Sequence, residues 1–149
     1  MTAIFKDDLA IGQASELLFF EKLFPTKLER TDGRKGDFKI LSTGELLELK
    51  SDNYDFFATK NFFMERYSYG DKPGGAHQAL ANGVKYYCYF FPNSGHFFLF
   101  DTQLLVNYLD WRFANSPLIE VKNAGYITRG YKIERSLLAH LLISPMVLT

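Results

Sequence analysis

"KGDFKILSTGELLELKSD", residues 35–52, decides the fold. Apolar and polar residues alternate on both sides of Thr43-Gly44, so the stretch reads as a hairpin with strands at 37–41 and 46–51. Successive side chains of a strand point to opposite faces, which gives Glu48 and Lys50 one face and Leu47 and Leu49 the other. A turn centred on Thr43-Gly44 sets Leu41 opposite Leu46, Lys39 opposite Glu48 and Asp37 opposite Lys50. Asp37, Glu48 and Lys50 then project together from one end of the hairpin, with the two acids diagonal neighbours roughly 7 to 8 Å apart between backbones.

Two carboxylates aimed the same way repel each other unless a cation lies between them. Oxygen ligands of this kind suit Mg²⁺, with Mn²⁺ able to substitute, because both keep several waters in their shell. The metal acidifies one such water into a nucleophile and polarises a phosphoryl oxygen. A neighbouring lysine orients the water or neutralises charge developing on the phosphorus oxygens. Asp37, Glu48 and Lys50 are therefore the minimal set for phosphodiester hydrolysis. The bland alternative is an exposed cross-strand salt bridge; Asp37 in register and the apolar residues that bury the strand weigh against it.

Working outward, residues 8–23 read as a helix capped by Asp7 or Asp8 and stopped by Pro25, with Glu16 entering its apolar half. A short strand at 27–31 and a polar loop at 32–36 lead into the hairpin, and 61–69 is an aromatic-rich strand expected beside it. Gly70 to Gly75 form a loop, 76–82 a helix ending at Gly83, and 84–91 a strand covered on both faces. A strand at 96–100, a helix capped by Asp101 and running to 114, strands at 118–121 and 126–133, and a helix at 134–143 complete the chain. The order is that of an α/β (α+β) sandwich around one central mixed sheet flanked by helices, with a C-terminal strand and helix extension.

The bulk numbers agree with one domain spanning 1–149: 149 residues, 47% hydrophobic and 17% aromatic, suffice for a core of its own. Cys88 is the only cysteine and sits in an apolar run, so no internal disulfide forms and a reducing compartment is expected. No apolar run is long enough to span a membrane and no signal peptide is recognisable, which predicts a cytoplasmic protein. Seventeen basic residues balance seventeen acidic ones, so any attraction for a polyanion is local or metal-borne. Lys27, Arg30, Arg34, Lys35 and Lys39 form the one basic cluster, diluted by Glu29, Asp32 and Asp37.

Gly36-Asp37 followed by Glu48-Leu49-Lys50, on a helix, three-strand, helix, strand order, resembles the PD-(D/E)XK nuclease superfamily over residues 8–91. Glycine at 36 replaces the family's proline. Ser51-Asp52 looks like the variants of phage and archaeal members, and residues 61–66 followed by Lys72-Pro73-Gly74-Gly75 look like small phage-type nucleases. The resemblance implies a restriction-endonuclease-like core, Asp37, Glu48 and the Leu49 carbonyl as metal ligands, Lys50 as catalytic lysine, and Glu16 as a helix-borne acid supporting the metal. It also implies a phage-encoded enzyme acting in a host cytoplasm.

The function expected is a Mg²⁺-dependent nuclease cutting DNA, as an endonuclease. Its alternatives are a Holliday-junction resolvase or RNA-cleaving relative using the same centre, and a non-catalytic nucleic-acid-binding or assembly module on the same fold. The partner is nucleic acid, with room for a homodimer and none for a membrane. Arg34, Lys35, His77 and Gln78 are weaker substrate-binding candidates, the last two at a helix start where free N–H groups meet phosphate. Glu65 either faces the site or pairs outside it, while His96 and His140 read as structural. The 101–114 helix places Leu104, Leu105, Tyr108 and Trp111 on a stripe expected in the core.

Overall fold

A computed structural model describes residues 27–123 and 125–143; the helix expected at 8–23, and Glu16 with it, lies outside them. The strands are β1 (Leu28–Arg30), β2 (Phe38–Ile40), β3 (Leu46–Ser51), β4 (Asn61–Tyr69), β5 (Lys72–Pro73), β6 (Tyr86–Phe91), β7 (His96–Asp101), β8 (Ile119–Asn123) and β9 (Tyr126–Glu134). Helix α1 (Gly75–Ala81) precedes β6 and α2 (Thr102–Arg112) follows β7. The fold is mixed α/β, and its strands form two sheets where one was expected: β1-β2-β3-β6-β7 and β5-β4-β9-β8.

The antiparallel meander β1-β2-β3 continues into β6, which runs parallel to β3. Parallel neighbours need a long crossover, and β4, β5 and α1 all lie within it. β4 therefore does not join the hairpin; it pairs with β9 in the second sheet, from Asn61 against Glu134 to Tyr67 against Arg129. Its sequence could not reveal this, because the partner lies more than sixty residues ahead.

The hairpin register also departs from expectation. Ile40 N–H donates to the Glu45 carbonyl and Gly44 N–H to the Ile40 carbonyl, both at 2.8 Å, so residues 41–44 form the loop and Gly44 takes the left-handed conformation, φ 76°. Phe38 consequently faces Leu47 and Lys39 faces Leu46, which brings Asp37, one step further, level with Glu48 instead of Lys50. The slip is by two residues, and a period of two keeps every side chain on its expected face.

Each face of the first sheet has its own core. Leu28, Phe38, Ile40, Leu47, Leu49, Tyr86, Cys88, Phe90 and Leu99 form one, with Phe97 and Ile143 packed on it. The other lies between the sheets, where Phe62 of β4 meets Tyr89, Phe98 and Phe100 at ring separations of 4.7, 5.1 and 6.0 Å. All six residues of β6 are buried, as a strand covered on both sides requires. Burial raises the Cys88 thiol far above its ordinary value, so it stays a protonated packing group.

In α2 the buried stripe is Thr102, Leu105, Val106 and Leu109, while Leu104 and Trp111 are exposed. The expected stripe was turned by about one residue, because Leu104 and Trp111 are seven apart and share a face that the protein turns to solvent. The last helix is a 3-10 segment, Arg135–Leu141, rather than an α-helix over 134–143. Among the described residues no helix is long and apolar enough to cross a membrane.

Asp101 caps α2 as expected, its Oδ1 accepting the Leu104 N–H at 3.0 Å while Oδ2 pairs with Lys85. Burial alone would raise its pKa; the Lys85 ammonium and the Leu104 amide outweigh that and hold the carboxyl below its usual value. A lowered folded-state pKa stabilises above the unfolded value of about 3.9, and that contribution is lost as pH falls through the folded one. Asp101→Ala is expected to cost about 1 to 2 kcal/mol at neutral pH. In thermal melts the gap between wild type and variant should narrow as pH drops from 5 toward 3 (roughly the carboxylate range); a constant gap would remove the carboxylate explanation.

Candidate active site

Asp37 follows the buried Gly36, whose φ of 74° turns the chain onto the end of β2. A β-carbon on Gly36 would lie 3.2 Å from the Leu47 carbonyl oxygen, tight against the neighbouring strand. The Asp37 N–H donates to that same carbonyl at 2.8 Å, and its Oδ2 accepts the Leu49 N–H at 2.7 Å. A side chain thus extends the ladder one step before β2 begins. Backbone groups alternate along a strand, so the Leu49 carbonyl points to the Asp37 side as the Leu47 carbonyl does. Glu48 and Lys50, half-buried, share the opposite face from Leu47 and Leu49.

The parallel partner strand sets what surrounds them: Glu48 is level with Tyr87 and Lys50 with Tyr89. Tyr87 is 2% exposed, and burial first, then the charges of Glu65, Glu48 and Asp37 among others, push its phenol well above the ordinary value. All three carboxylates therefore act on one hydroxyl. Lys50 makes no ion pair among the described residues, so the simple cross-strand salt bridge is absent there.

Glu65 comes from the second sheet and faces this site. Its Oε2 accepts the Gly75 N–H at 3.1 Å, at the start of α1. The chain at Gly74-Gly75 runs flush against it: a β-carbon on Gly74 would lie 2.8 Å from Glu65 Cδ, and one on Gly75 2.6 Å from the Glu65 carbonyl oxygen. These walls enclose a cleft of about 190 Å³ that Glu48, Lys50, Glu65, Gln78, Asn82 and Tyr87 line, with Arg34 at its margin.

Of the weaker candidates, Gln78 and Arg34 reach the cleft, though Arg34 also pairs with Asp32 at 3.5 Å. Lys35 is exposed and outside the lining, and His77 turns to α2, its Nε2 2.7 Å from Asp110 Oδ1. His96 stacks on Phe56 at 3.8 Å and His140 meets the Tyr108 ring edge-on. Tyr87 and Asn82 escaped the sequence reading. Tyr87 belongs to the site only through the pairing of β3 with β6, and that register is not local; Glu65 had a usable signal, because adjacent glycines before a helix mark close approach.

Among the described residues no three His, Cys, Asp or Glu side chains converge to hold a metal by themselves. The oxygen donors on hand are Asp37, Glu48 and the Leu49 carbonyl, with Glu65 across the cleft. A larger open depression of about 600 Å³ lies on the second sheet beside Tyr69, Lys122 and Tyr126. Its Arg129 is already bonded to the Gly70 carbonyl and Asp71, and it holds no paired acids, so the smaller cleft is the candidate site. No family model matches the chain, and no curated protein or solved structure is similar enough to count as a match.

Proposed function

We propose that the protein is a metal-dependent nuclease that hydrolyses phosphodiester bonds in DNA, with its centre at Asp37, Glu48 and Lys50. One observation carries the reading: the Asp37 carboxylate is fixed on the Leu49 amide, on the face that Glu48 and Lys50 share. The three-strand meander followed by α1 and a parallel β6 supports it further, being the strand order of a restriction-endonuclease-like core.

Mg²⁺ is held in enzymes by one or two carboxylates plus substrate phosphate rather than by an all-protein cage, and two acids with a carbonyl suit that habit. When bound it would supply an acidified water and polarise the phosphoryl oxygen. Lys50 orients the attacking water and offsets negative charge on the phosphate. Glu65, on the far wall, adds to a field that draws cations into the cleft and repels bare phosphate.

The test is incubation with plasmid, linear, single-stranded and four-way-junction DNA, and with RNA, in Mg²⁺ or EDTA. Cleavage that EDTA abolishes is expected; selective cutting of junctions or RNA would redirect the assignment to those relatives. In parallel, Mn²⁺ at about 100 times its Kd should add roughly 2.7 kcal/mol to stability. An unchanged melting temperature together with no cleavage on any substrate would leave a non-catalytic module.

A further inference from the structure

The loop that follows the lysine-bearing strand, residues 53–60, displays two aromatic rings to solvent: Tyr54 is 74% and Phe57 70% exposed. Exposure of single aromatics is ordinary, but this loop is built to hold them there. Asp52 Oδ1 accepts the Tyr54 N–H and Asp55 Oδ1 the Phe57 N–H, each at 2.9 Å. Asp52 is itself anchored through Oδ2 by the Tyr89 hydroxyl. Between the two outward rings Phe56 points in, stacked on His96 at 3.8 Å with 9° between planes and covered by the Arg135 guanidinium at 4.2 Å. Arg135 also bonds the carbonyls of Phe56 and Thr59.

Phe56 packs on the core between the sheets, so the loop rises on the face that carries Glu48, Lys50 and Tyr87. Tyr54 lies four positions beyond Lys50, a reach of at most about 14 Å. That is the length of about four stacked nucleotides at 3.4 Å each. With seventeen basic against seventeen acidic residues, the chain as a whole offers no general attraction for a polyanion. Without metal, affinity then draws on contacts beyond phosphate pairing. Stacking of bases on aromatic rings is such a contact and is open only to unpaired bases.

We propose that Tyr54 and Phe57 form a stacking platform for the bases of an unpaired strand leaving the cleft, which makes single-stranded nucleic acid the substrate of this site. The proposal rests on the nuclease reading for where the strand is cut. It is tested without cleavage, by fluorescence anisotropy of labelled single-stranded oligo-dT and of a duplex of equal length, in EDTA. The wild type should bind the single strand more tightly than the duplex. Tyr54→Ala and Phe57→Ala should each weaken single-strand binding roughly tenfold, the double variant more, with duplex binding and melting temperature unchanged. Tyr54→Phe should retain affinity. Equal binding of both probes, or unchanged affinity in the double variant, overturns the platform. So does loss of self-association in the double variant without a change in oligonucleotide affinity, which would make a second copy of the chain the occupant. Because no metal is present, failure of cleavage elsewhere leaves this result readable, and failure here leaves metal-dependent cleavage standing.

Discussion

Glu48→Gln is expected to lower the metal-dependent cleavage rate by about a thousandfold, about 4 kcal/mol of barrier, while the protein melts within a degree or so of the wild type. The glutamine keeps the size of a half-buried side chain on β3, between Leu47 and Leu49, whose apolar packing holds the strand. Under the proposed function, what it removes is one of the two negative charges that would face a cation from the first sheet. Without that charge the cation is bound weakly, and the Mn²⁺-induced rise in melting temperature should vanish with the activity. Glu48→Ala should give the same two losses. A variant that still cuts in Mg²⁺, or one that stops cutting but is stabilised by Mn²⁺ as before, would remove Glu48 from the centre.

Gly75→Ala is expected to destabilise by about 3 kcal/mol and to lower the melting temperature by roughly 10 °C. Two penalties add. Gly75 has φ 53°, a conformation that costs a residue with a β-carbon about 1 to 2 kcal/mol, and the new carbon would sit 2.6 Å from the backbone oxygen of Glu65. Backbone on both sides cannot give way as a flexible side chain would. Gly83→Ala is the control, since Gly83 has φ 77° with nothing within 4 Å of the added carbon. It should lose only the conformational part. Equal losses in the two variants would show that contact with Glu65 contributes nothing.

The hairpin was legible because its signals are local: alternation, a Thr-Gly turn, and three polar residues whose faces follow from parity alone. Parity also protected the site from the error in where the turn lies, since a two-residue slip exchanges Asp37's neighbour without changing its face. The second sheet was not legible. β4 and β9 are separated by α1, β6, β7 and α2, and nothing in the aromatic run 61–69 distinguishes a strand beside β3 from one stacked over it. Tyr87 escaped for the same reason, reaching the cleft through a parallel pairing, and the side of Glu65 stayed open because it enters from the far sheet. Helix α2 misled because Leu104 and Trp111 look like core residues by composition while the fold faces them outward.

The carboxylate of Asp37 stands in for a missing strand, closing the Leu49 amide just before β2 begins. Under the proposed function one side chain is both a fastener of the backbone and an electrical component, and an alanine at this position would damage the two roles together. Asparagine separates them, because its amide oxygen still accepts the N–H while the charge is gone. The comparison of those two alleles tells architecture from chemistry at a residue where inactivity by itself says nothing about either.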